Sequence, residues 1–333
     1  MSGPRKIQIV GALLAALLGP LLTKAAPPKP APTPPGSFSF AALGDAPYYA
    51  WEEIQFSLIL RELQANDLAW VLHVGDIFWH PCSDGMYRAA LGRFNRLRHP
   101  VIYTPGDNEW ADCWERGSGG FAPRERLARI RRIFFPDPQR SLGIRRLRLQ
   151  SQGGAGDYPE FVENARWFRE GFLFATFDLP GTENGMAPFP GRTPADDVAA
   201  KRRTEAAAAW LRETFEEAAC RKAQAAIVAF HANAGLEEPA ADPYRMAYDP
   251  FLAGLEKEVG RFGGPVLVVH GDGHEYVVDH PLVSRATGRR LTNLTRVQVP
   301  GSPEVGWVRI VVTPGAAQPF AFEKHVLPRW KYW

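Results

Sequence analysis

Thiols are scarce in this chain. Only Cys82, Cys113 and Cys220 occur in 333 residues, and none stands in C-x-x-C spacing, so a thiolate zinc site is excluded. No G-x-S-x-G segment is present, which removes the nucleophile elbow of serine hydrolases. Long apolar runs are missing too. The mostly apolar stretch 7–22 is shorter than the roughly 20 residues a bilayer span needs, and Gly11, Gly19 and Pro20 interrupt it. Net charge is only +3, and Arg5, Lys6 and Lys24 account for all of it, since residues 1–26 hold no acid. The remaining chain is formally neutral. That argues against a nucleic-acid coat or an anionic-membrane binder, both of which depend on excess cations.

What is present begins with a pattern of export. Arg5 and Lys6, the apolar stretch and the small residues Ala25 and Ala26 read as a signal peptide over 1–26, removed on secretion to leave no membrane span. Residues 27–36 are a proline-rich linker with no capacity for helix or sheet ladders. A single domain over 37–326 and a tail over 327–333 follow, and the expected location is periplasmic or secreted. In an oxidising compartment Cys82 and Cys113, in loops after neighbouring strands, are expected to pair. Cys220, the remaining thiol, reads as a small buried apolar residue.

From Ser37 the pattern alternates strand and helix: strands over 38–43, 69–74 and 101–104, with helices over 51–64 and 85–97 between them. Such a series implies parallel strands with right-handed crossovers. A helix over 123–134, one strand over 168–179 and a helix over 199–219 come next. Strands over 225–230 and 265–270 flank a helix over 250–260, and the C-terminal third reads as antiparallel strands and turns. The expected class is α/β, with two packed mixed sheets flanked by helices.

Chemistry collects where the apolar runs stop. Leu43 is followed by Gly44-Asp45, Val74 by Gly75-Asp76, Thr104 by Pro105-Gly106-Asp107-Asn108-Glu109, Phe230 by His231, and His270 by Gly271-Asp272-Gly273-His274. In open α/β sheets the carboxyl ends of strands form the ligand crevice. Asp, Asn and His are hard-to-borderline ligands that suit Mn, Fe or Zn without any thiolate. A pair of divalent ions can polarise a phosphoryl oxygen and activate a water, and it needs one bridging carboxylate, for which Asp76 is placed. His73 reads as a packed histidine, Asp107 as a brace for its own turn, and Asn184 as either a phosphate contact or a turn residue. Tyr48, Tyr49, Trp79 and Trp110 are expected near the mouth if the strand ends converge.

In order and spacing, these blocks resemble the five signature blocks of the calcineurin-like metallophosphoesterases, over about residues 38–312. They are most similar to a bacterial exported branch with Gly-Asp-x-Pro-Tyr and Gly-Asp-Asn-Glu-Trp blocks. The resemblance implies a four-layer sandwich and two metal ions, with Asp45 and His274 on one, Asn108, His231 and Asp272 on the other, and Asp76 bridging. It implies a hydrolase of phosphoric esters or anhydrides, monoester or diester, acting on a phosphorylated small molecule or nucleotide-like substrate.

Two departures from that pattern bear on catalysis. Ala46-Pro47 stands where the family has Asp-x-His, and Glu109 stands where the acid histidine is expected. A carboxylate in place of imidazole favours harder ions such as Mn²⁺ or Mg²⁺. Glu109 is then the candidate proton donor, with His270 as the alternative. The competing reading is a metal-binding, catalytically weak recognition protein on the same fold.

Overall fold

The structure is a computed structural model that describes residues 34–79, 81–154 and 156–327. The signal segment, most of the linker, His80 and residues 328–333 lie outside the described residues.

Both ends of the domain build a five-stranded sheet from β1 (Phe38–Leu43), β2 (Val71–His73), β3 (Val101–Tyr103), β11 (Gly306–Val312) and β12 (Phe320–Val326), in the order β12-β11-β1-β2-β3. β1, β2 and β3 are parallel, joined through α1 (Ala50–Ala65) and α2 (Asp84–Arg96), as the alternating pattern predicts. The second sheet contains β4 (Gln150–Ser151), β5 (Ala165–Arg169), β6 (Phe172–Thr176), β7 (Ala225–Ala229), β8 (Val266–His270), β9 (Val277–Asp279) and β10 (Leu294–Gln298). Its order is β4-β5-β6-β7-β8-β10-β9. α3 (Pro123–Phe134), α5 (Pro194–Cys220) and α7 (Phe251–Phe262) complete the longer helices, with short turns α4 (Gly181–Gly185) and α6 (Pro243–Met246).

Three apolar layers hold the two sheets and their helices together. Phe40, Trp70, Phe174, Ile227 and Val269 fill the space between the sheets. Ile59, Tyr87 and Ile130 pack helices on the first sheet, and Trp210, Leu255 and Val268 pack helices on the second. Strands covered on both faces read as continuous apolar runs rather than alternating ones, which is why β1 and β7 are buried along their whole length. Among the described residues no helix is long and apolar enough to cross a membrane.

The expected single strand over 168–179 is instead a hairpin. Glu170 (φ 52°) and Gly171 (φ 87°) turn β5 antiparallel onto β6, because two successive left-handed residues match the twist of paired strands. The C-terminal third is not wholly antiparallel either, since β10 inserts between β8 and β9 and runs parallel to β8. Cys220 is exposed at the end of α5, not buried. Pairing of Cys82 and Cys113 is present, with Cα atoms 5.7 Å apart.

That disulfide closes a loop whose sulfurs lie 3.2 and 3.6 Å from the Asn108 carbonyl oxygen. Reduction, or Cys82→Ser, is expected to cost about 2–4 kcal/mol of stability. Urea midpoints measured with and without reductant check this. A midpoint indifferent to reductant would contradict it.

Candidate metal centre

Strand ends deliver the polar groups, and unusual backbone angles aim them. Asp45 and Asp76 both have φ 55°, Asp272 has φ 66° and His274 has φ 60°. Left-handed residues with a Cβ cost about 1–2 kcal/mol each, so four of them at strand ends mark backbone held against its preference by the packing around it. Two glycines leave room for the carboxylates: a Cβ at Gly106 would overlap Asp76 Oδ1, and one at Gly271 would overlap Asp45 Oδ2.

His231 occupies the middle of the group. Its Nε2 lies 3.2 Å from Asp107 Oδ1, 3.4 Å from Asp76 Oδ1 and 3.8 Å from Asp272 Oδ1. Its Nδ1–H donates to the Val74 carbonyl oxygen at 2.7 Å, which fixes the ring and turns Nε2 toward the carboxylates. His274 is anchored in the same way, with Nδ1–H donating to the Ser302 carbonyl oxygen at 2.7 Å and Nε2 3.9 Å from Asp45 Oδ1. Asp272 accepts from the Asn233 N–H at 2.8 Å, and its own N–H donates to Asp45 Oδ1 at 2.9 Å. Asp45 Oδ2 is buried with no hydrogen-bond partner.

The electrostatics follow from burial. Removal from water pushes Asp45 up to about 7 and Asp76 well above the ordinary carboxylate range, despite the pull of His231. Burial alone would depress His231, but Asp76, Asp107 and Asp272 overcome it and hold the imidazole well above its usual value. Asp107 falls to about 2, against its burial, because His231 and Thr182 hydrogen-bond to it. The Thr182 hydroxyl lies 2.6 Å from Asp107 Oδ2 and 2.9 Å from Asp112 Oδ1. One hydroxyl hydrogen serves one of them, and Asp112, pushed up to about 7 by burial and by Asp107, can supply the other.

Two groups of three side chains offer ligand atoms within 4.8 Å of one another: Asp45, Asp76 and His231, and Asp107, His231 and Asp272. The donors fit divalent cations. Buried Asp45, Asp76 and Asp107 and half-buried Asp272 carry four negative charges when ionised, equal to the charge of two such ions, and an unpartnered buried oxygen on Asp45 is otherwise a cost. One imidazole nitrogen has one lone pair and serves one ion, whereas the two oxygens of Asp76 are able to serve both.

The third block meets the cluster through two adjacent residues. The side chain beside His231 is Asp107, read from the sequence as a brace for its turn, while Asn108 reaches Asp76 Oδ1 through its backbone N–H at 3.1 Å. Glu109 is fully buried and accepts from Tyr103 Oη at 2.7 Å, the Gly106 N–H at 2.9 Å and the Asp76 N–H at 3.1 Å, so it ties two strand-end loops together. His270 is buried too. Its ring stacks on Phe230 at 5.9 Å and burial pushes it down to about 3, leaving a neutral packing imidazole. Asn184 donates to Thr204 and to the Ala247 carbonyl oxygen, as a turn residue does. Trp110 packs in the core against Arg203, whereas Tyr48 and Trp79 do stand at the cluster.

No protein family and no curated protein matches the chain in comparison. Solved structures do. PhoD aligns over 87% of this chain and 68% of its own, with a TM-score of 0.55 at 14% identity. A dimetal phosphatase from Danio rerio aligns over 86% of this chain and 99% of its own, with a TM-score of 0.51 at 11% identity. The chain has a metallophosphoesterase-like fold. At these identities the likeness concerns architecture, and the chemistry rests on the side chains described above.

Excess Mn²⁺ is expected to raise the melting temperature, since a ligand that binds only the folded state at 100 times its Kd stabilises by about 2.7 kcal/mol. Asp107→Ala is expected to remove most of that rise and Asn108→Ala little of it. Equal losses in thermal melts of the two variants would return Asn108 to the ligand set.

Proposed function

We propose that the protein is a metal-dependent hydrolase of phosphoric esters or anhydrides, acting outside the cytoplasm. One observation carries the reading: three buried aspartates and the half-buried Asp272 meet two imidazoles whose Nδ1–H groups are committed to backbone carbonyls, leaving both Nε2 atoms facing carboxylate oxygens. Asp45, Asp76 and His274 would hold one ion, and His231, Asp107 and Asp272 the other, with Asp76 shared. Bound there, such a pair would polarise a phosphoryl oxygen and make a water nucleophilic at neutral pH.

The chain's own residues supply position. Glu109 fixes the loops of Asp76 and Gly106, and the Val74 and Ser302 carbonyls fix the two rings. Because Glu109 is tied to the two loops and His270 lies buried against Phe230, neither is placed to protonate a departing oxygen. The reading therefore favours substrates whose leaving group needs no acid, such as aryl phosphates or phosphoanhydrides. The same commitment supports a second reading, a metal-dependent recognition protein with weak turnover. The N-terminal pattern and the disulfide support export.

Purified protein supplied with Mn²⁺ is expected to hydrolyse aryl phosphate mono- or diesters or nucleotides. Asp76→Asn and His231→Ala should each lower kcat/KM by at least about a hundredfold, as loss of a group acting on the reacting centre does. Stoichiometric metal with turnover no greater than in the two variants would support the recognition reading instead.

A further inference from the structure

Apart from the metal cluster, one cavity of about 180 Å³ collects cations. Arg124, Arg131, Arg192, Arg202, Arg203 and Trp110 are among its lining side chains, which come from α3, α5 and the loops beside them, and none of the candidate metal ligands lines it. At about 30 Å³ for each water, the cavity has room for several waters or for one small polyatomic ion.

Four of the five arginines are already neutralised. Arg124 pairs with Asp196 at 2.7 Å, Arg131 with Glu163 at 2.5 Å and Arg192 with Asp197 at 2.8 Å, and Arg202 pairs with Glu160. Arg203 differs. It is 3% exposed, its Nη2 donates to the Asn184 carbonyl oxygen, its guanidinium lies 4.8 Å from the centre of the Trp110 ring, and among the described residues it forms no ion pair with a carboxylate. Asp178 attracts it most, but burial and the neighbouring Glu163 push that carboxyl up to about 8, so near neutral pH it is mostly protonated. A buried charge is costly unless it is paired.

Two donors of the same lining also lack an acceptor. Arg203 Nε–H and Trp110 Nε1–H are buried with no hydrogen-bond partner among the described residues. Water would accept from both and bring no charge. An anion answers the donors and the guanidinium together.

We propose that this cavity binds a small oxyanion of the phosphate class, with the buried Arg203 and Trp110 as its donors and the exposed Arg124 and Arg202 drawing it in. Several oxygens on one centre can accept from more than one wall at once, and hydrogen bonds between charged partners are the strong ones. The site is separate from the metal cluster, and the inference does not depend on the hydrolase reading. The two share one turn, since the Asn184 carbonyl accepts from Arg203 and the Thr182 hydroxyl bonds to Asp107.

The test is a titration of purified protein with inorganic phosphate at physiological salt, with Mn²⁺ and again after chelation, which removes any binding through a metal. Saturable binding at one site is expected in both. In protein with isotope-labelled indoles, phosphate should shift one N–H resonance that is missing from Trp110→Phe. Arg203→Met should weaken binding at least about tenfold, as loss of a charged hydrogen-bond partner does, and Arg146→Met, a change on the exposed surface, should leave it unaltered. Absence of saturable binding after chelation overturns the proposal, as does binding that leaves the Trp110 resonance unmoved or that Arg203→Met keeps at wild-type strength. If Arg203→Met fails to fold, the wild-type resonance still decides. Acetate shifting that resonance where phosphate does not overturns the phosphate class. Where phosphate binds, methyl phosphate separates its sources: a matching shift marks a site for a phosphate group on a larger molecule, and no shift marks a site for the free ion.

Discussion

Carboxylates crowded together away from water repel one another, and much of this architecture exists to hold them there. Asp45, Asp76, Asp107 and Asp272 are gathered around His231, with Glu109 directly behind. Left to themselves such groups would separate into solvent or take up protons. The chain prevents the first by mounting them on strands of two sheets that pack through Phe40, Trp70, Phe174 and Val269. What bound cations would do for the charge, the sandwich does for the positions.

The backbone shares in the cost. Besides the four left-handed residues of the centre, Thr182, Glu183 and Asn184 form a left-handed turn of three consecutive side-chain-bearing residues, a conformation that each of them disfavours. Thr182 bonds to Asp107, Asn184 is buried against α5, and the Asn184 carbonyl accepts from Arg203. The turn is held from both ends, and the strain stays local to the crevice where a functional constraint explains it.

Most of the scaffold and much of the centre were legible because apolar runs that stop at Gly-Asp or at His announce strand ends, and strand ends in α/β proteins converge. Asp45, Asp76, His231, Asp272 and His274 were read as candidates in this way, and the structure brings them together. That Asp107 lies beside His231 was not legible, since spacing along a tight turn does not say which side chain meets a ring from a distant strand. The hairpin at Glu170-Gly171 was hidden because strands buried on both faces lose their alternation, so two short ones read as one long one. Glu109 and Tyr48 were singled out, but their partners escaped for a related reason: these are set by contacts between distant loops, and spacing along the chain carries no record of those contacts.

The Cys82–Cys113 bond encloses α2, β3 and the Gly106-Asp107 turn within one covalent ring, and the sulfurs abut the carbonyl of the next residue, Asn108. One wall of the metal crevice is thus part of a closed loop of chain, while the walls carrying His231 and Asp272 are not. Oxidation of two sulfur atoms narrows the conformations open to that wall before any ion arrives. The electron balance of the surroundings therefore acts on the centre mechanically, through the stiffness of a loop, with no change to any group that faces the ion.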